Sequence, residues 1–130
     1  MKLHADRPSG PNAITRHGPG GVVVGGIEYR SSIVVPWAGS VSAWPVERFD
    51  ALREADFELL RSLEPELVIF GSGVRLRFPR PEWLRPLIDA RIGVETMDTA
   101  AACRTYNVLF GEGRAVVAAL LFETAAAASS

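Results

Sequence analysis

Two short segments carry the residue types best suited to chemistry, Gly71-Ser72-Gly73 and Thr96-Met97-Asp98-Thr99. Glycines let a ligand approach backbone amides closely, and free amides at the start of a helix opened by Asp98 or Thr99 favour an anion. Arg104, Tyr106 and Asn107 add polar groups in the same helix. The candidate pocket is therefore Gly71, Ser72, Gly73, Asp98, Thr99, Arg104, Tyr106 and Asn107. Each segment also has a plainer reading. The glycines suit a tight turn needing positive φ. Asp98, a candidate acid, equally suits a helix N-cap contributing about 1 kcal/mol.

No catalytic residue can be assigned. Ser72 lacks the G-x-S-x-G setting of a hydrolase elbow. Cys103 lies past the first helical turn, where the macrodipole does little to lower a thiol pKa, so it reads as small buried filler. The histidines, His4 and His17, stand in the N-terminal part, far from any carboxylate cluster, so neither a nucleophile–base pair nor a metal site is expected. With no G-x-G-x-x-G and no Walker lysine, no nucleotide cofactor is implied. Glu95, in a strand expected to be covered on both faces, calls for a structural ion pair with Arg104 or Arg114, because a buried carboxylate must be paired or protonated.

These residues need a scaffold, and hydrophobic periodicity supplies one. Apolar β-branched runs broken by glycine between Ile14 and Pro36 predict antiparallel strands, with Gly25-Gly26 as a turn. Phe49, Leu52, Leu59, Leu60 and Leu63 recur at helical spacing, interrupted near Asp56, and Pro65 ends that helix. Glu66–Phe70 predicts a strand buried on both faces. After it the alternating Val74-Arg75-Leu76-Arg77-Phe78 suggests an edge strand, or a surface that docks an acidic partner or RNA. Pro81 opens a helix reaching about Arg91. Residues 92–96 predict a strand, residues 100–110 a helix stopped by Gly111 and Gly113, and residues 114–122 a central strand. The expected fold class is α/β: a three-layer arrangement with a mixed, mostly parallel central sheet flanked by helices, to which the N-terminal antiparallel strands are added. In such a sheet ligands sit beyond the carboxyl ends of the parallel strands, where the two segments fall.

The chain has 130 residues, 48% hydrophobic and 22% charged. One domain over residues 13–123 is expected, with fraying ends at 1–12 and 124–130. Fourteen basic and fifteen acidic residues leave a net charge of -1, which argues against a general nucleic-acid partner. That neutrality divides into an acidic stretch, Glu47–Glu66, and a basic one, Arg75–Arg91. A single cysteine excludes a disulfide framework and fits a reducing compartment, hence a soluble cytoplasmic protein. No apolar run is long enough for a spanning helix.

The run GVETMDTAAACRTYNVLFGEGR, from Gly93 to Arg114, together with Gly71-Ser72-Gly73, resembles the Mth-like domain family, which includes a mitochondrial respiratory complex I assembly factor. The likeness extends from about Ile14 to Leu121, and serine at position 72 replaces the threonine of the family's Gly-Thr-Gly. The resemblance implies a three-layer α/β domain, with no reaction attached. The leading expectation is a non-enzymatic, assembly-factor-like domain that binds a protein partner. The alternative is a small-molecule-binding protein or enzyme whose cleft lies at the C-terminal ends of the parallel strands.

Overall fold

Short runs of valine and isoleucine divided by glycine build the first half of the chain in the computed structural model, which describes residues 11–123. Strands β1 (Ile14–Gly18), β2 (Gly21–Val24) and β3 (Ile27–Tyr29) form an antiparallel three-stranded sheet. Gly25 and Gly26, with φ of 60° and 80°, make the two-residue turn between β2 and β3, a conformation that L side chains resist. This small sheet stands apart from the main one, which the N-terminal strands were expected to extend. Of the ends expected to fray, residues 1–10 and 124–130 lie outside the described residues. Asn12 is buried and anchored, its amide donating to the Pro36 carbonyl at 2.6 Å.

The main sheet contains β4 (Ile33–Pro36), β5 (Ser42–Ala43), β6 (Leu67–Gly71), β7 (Gly93–Met97) and β8 (Val116–Leu120) in the order β5-β4-β8-β6-β7. β6 runs parallel to both β7 and β8, while β4 runs antiparallel to β8 and β5. The sheet is thus evenly mixed rather than mostly parallel. As the unbroken apolar runs require, β8 and β6 lie inside it, and β8 is buried along its whole length.

The described residues also form three helices: α1 (Glu54–Arg61), α2 (Arg85–Asp89) and α3 (Thr99–Gly111). The period-2 pleat sends alternate residues of β6 into different cores. Ile69 packs with Ala102, Cys103 and Tyr106 of α3 and with Ile14, Val22 and Val24 of the small sheet. Val68 and Phe70 pack with Trp44, with Phe57 and Leu60 of α1, and with Leu87 of α2. In that second core Trp44, Phe57 and Phe70 meet edge to face, with ring centroids 5.6–5.9 Å apart.

Two helical stretches are shorter than their periodicity suggests. Phe49–Ala51 is a 3-10 turn, and α1 starts only after Arg53, whose amide donates to the Asp56 carboxylate at 2.9 Å. Asp56 therefore caps the helix instead of interrupting it. Pro81–Leu84 is likewise a 3-10 turn preceding α2, because Pro86 has no amide to continue an α-helical ladder upstream. Val74–Phe78 forms no strand. Its apolar residues Val74, Leu76 and Phe78 are exposed, as is Arg75, whereas Arg77 turns inward.

Candidate functional site

The parallel strands β6 and β7 end at Gly71 and Met97, paired in register, so the two chemistry-bearing segments do meet at one end of the sheet. Gly71 is needed for the approach of α3. A Cβ there would lie 3.0 Å from the Thr99 Cα and 3.1 Å from the Ala102 Cβ. Gly73 has φ of 107°, and a Cβ on it would fall 2.6 Å from the Arg77 guanidinium. Both glycines are therefore imposed by backbone conformation and close packing.

The polar groups at this junction are occupied by one another. Thr99 Oγ1 donates to the Leu121 carbonyl at 2.9 Å and accepts from the Gly73 amide at 2.8 Å. Its own amide donates to the Gly73 carbonyl at 2.8 Å. Ser72 Oγ donates to the Arg75 carbonyl and accepts from the Arg77 amide, both at 2.9 Å. Asp98 accepts from the Ala101 amide at 2.9 Å as the N-cap of α3. Both hydroxyls are thus held by backbone groups on the donor and the acceptor side.

The remaining candidates face away from this junction. Tyr106 is fully buried, and its hydroxyl proton is shared between the Asn12 and Pro36 carbonyls, each 3.1 Å away. Burial raises its pKa well above the usual phenol value. Asn107 pairs like a strand residue with Ile14, accepting from its amide at 2.9 Å and donating to its carbonyl at 2.7 Å, and so ties the small sheet to α3. Arg104 is exposed. Glu95 is exposed too, since β7 is an edge strand rather than a covered one, and it forms no ion pair among the described residues. Arg114 instead pairs with Glu66 at 2.8 Å, which holds the Glu66 carboxyl below its ordinary pKa. Burial pushes the Cys103 thiol up to about 12, the condition of an inert filler.

Two residues outside the candidate set organise the junction. Arg77 donates to the Ser72 carbonyl at 2.7 Å and to Glu123 at 2.8 Å, and its guanidinium lies over the Phe49 ring at 4.8 Å. Glu123 also accepts from the Phe49 amide at 2.7 Å. Burial raises the Glu123 pKa, but the hydrogen bonds from Arg77 and Phe49 outweigh it and hold the carboxyl below its ordinary value. The alternation of residues 74–78 signals Arg77 but points it outward, and Glu123 carries no local signal. Beside this lock lies a cavity of about 300 Å³, lined by His17 of β1, by Pro19 of the β1–β2 turn and by Val74, Thr99, Leu121 and Phe122.

A family model described as protein of unknown function (DUF498/DUF598) matches residues 14–121, from the first residue of β1 to just beyond β8. The chain belongs to this family. Among relatives of this DUF498 chain is the bovine NADH dehydrogenase [ubiquinone] 1 alpha subcomplex assembly factor 3, 40% identical over 84 residues. That match covers 63% of this chain and 46% of the relative, so the chain spans about half the length of the curated relatives it matches. A crystal structure of a Bordetella parapertussis protein superposes with a TM-score of 0.82 at 37% identity, covering 90% of this chain and 100% of that one. A solution structure of a Bordetella pertussis protein, described as a Mth938-like domain, gives 0.77 at 33% identity over 95% of this chain and 93% of that one. Among the described residues, no helix of this DUF498 chain is long and apolar enough to cross a membrane.

Proposed function

We propose that the chain is a non-enzymatic, assembly-factor-like domain that acts by binding a protein partner in the cytoplasm. One observation carries this reading: of the residues best suited to chemistry, the Ser72 and Thr99 hydroxyls each donate to and accept from backbone groups, and Asp98 caps α3. A catalytic site keeps at least one such group available to a substrate. The relatives named as assembly factors support the same reading. Affinity capture of the tagged full chain under native conditions, with quantitative mass spectrometry, tests it. A reproducible stoichiometric partner is expected, and its absence across replicates overturns the reading.

The cavity beside Thr99 and Glu123 favours a second reading, a site for a small apolar molecule at the C-terminal ends of the parallel strands. Thermal-shift screening separates the two. A ligand whose stabilisation is abolished when Ala100 is enlarged to Leu at the cavity wall establishes the second reading, and no shift across a broad apolar library removes it.

A further inference from the structure

The segment between Gly73 and Pro81 turns its large apolar side chains to solvent and one arginine inward. Val74, Leu76 and Phe78 are 78%, 50% and 71% exposed, while the intervening Arg77 is drawn onto Glu123, the Ser72 carbonyl and the Phe49 ring. A polypeptide gains by doing the opposite, because each exposed aliphatic or aromatic side chain forgoes the burial that drives folding. The anchored Arg77 holds this display in place, so the exposure is built into the structure. The backbone is open as well: among the described residues the amides and carbonyls of Val74, Leu76 and Phe78 have no hydrogen-bond partner.

Charge narrows the choice of occupant. Residues 74–80 read VRLRFPR, three arginines and no acid. Arg77 is neutralised by Glu123, but Arg75 and Arg80 are exposed and form no ion pair with any described residue. A second copy of this chain would bring the same two positive charges to the contact. A lipid surface would bury the apolar side chains but leave the open amides and carbonyls unsatisfied in hydrocarbon. An extended peptide satisfies all three demands, by main-chain pairing, by alternate apolar side chains and by carboxylates against the arginines.

We propose that Val74–Phe78 is the docking segment for an extended, acidic stretch of a partner protein carrying apolar residues at alternate positions. This rests on the protein-binding reading above and names the surface and the chemistry of the partner. The test places p-benzoylphenylalanine at position 76, 78 or, as an exposed control on α3, at position 108 of the full chain expressed in its own cells. Irradiation is followed by mapping of the adduct peptide. The expected result is an adduct from 76 and 78, but not from 108, to one protein, at a peptide whose carboxylates flank alternating apolar residues. Adding Arg75→Glu and Arg80→Glu should lower its yield at least about tenfold, as the loss of two charge-complementary contacts would. An adduct to a second copy of this chain, an adduct peptide without acidic residues, or a yield unchanged by the charge reversals overturns the proposal. So does flotation on phosphatidylglycerol vesicles that is lost in Leu76→Glu/Phe78→Glu, in the absence of any protein adduct. A captured partner that crosslinks only at 108 defeats this docking surface and leaves the protein-binding reading standing, whereas capture of no partner defeats both.

Discussion

Replacing Thr99 by valine keeps the shape of the side chain and its β-branching but deletes the hydroxyl that joins the Gly73 amide to the Leu121 carbonyl. Both partners are buried, and neither has another hydrogen bond among the described residues. An orphaned buried group costs about 1–3 kcal/mol. The carbonyl tolerates this better than the amide, so the pair should cost about 2–4 kcal/mol. Thr99→Ser keeps both bonds and loses one methyl group, a cost of about 1 kcal/mol. Helix propensity does not separate threonine from valine at this position. Urea unfolding followed by circular dichroism should therefore show the valine midpoint about 1–2 M below the native one at unchanged slope, with serine in between. A valine variant as stable as the serine variant would refute the view that this hydroxyl is a structural link.

Three further outcomes are expected. The depressed Glu123 pKa stabilises the fold fully above its ordinary value of 4.5, and that stabilisation is lost as pH falls through the folded value. Arg77→Met should consequently lower Tm at neutral pH and flatten its decline in acid, as read by a Tm–pH series. Cys103 should resist maleimide in the native protein at pH 7.5 and react fully in denaturant, because its thiol is buried and carries a pKa of about 12. Asn107→Leu removes both bonds to Ile14, so amide exchange should accelerate across β1–β3 while the β6 and β8 amides stay protected.

What the sequence reveals is what local periodicity encodes. The apolar runs at residues 66–70 and 116–121 mark two of the three inner strands because burial on both faces demands them, and Asp98 marks the start of α3 because its carboxylate answers an amide within one turn. Edge or centre is decided by strand order, which no local pattern records. Ile92–Thr96 therefore reads as covered although β7 closes the sheet and leaves Glu95 in solvent. Alternation at residues 74–78 likewise signals opposed sides without saying which faces in, and the answer comes from Glu123, far along the chain. Three polar residues of α3, Thr99, Tyr106 and Asn107, serve as fasteners. Their partners, Asn12, Ile14, Pro36 and Leu121, are remote in sequence, so a structural fastener and a ligand-binding residue look alike until the chain is folded.

The place of β8 bears on how the chain reaches this state. It is the last strand of the described residues, yet it sits between β4 and β6 and bonds to both. During synthesis, β4 and β6 emerge first as adhesive apolar segments with no strand to join them. The sheet can zip only once residues 116–120 have left the ribosome, so the nascent chain carries unjoined apolar strands, exposed to aggregation, until then. Loss of β8 to a late stop codon would remove the seam of the sheet rather than trim its border.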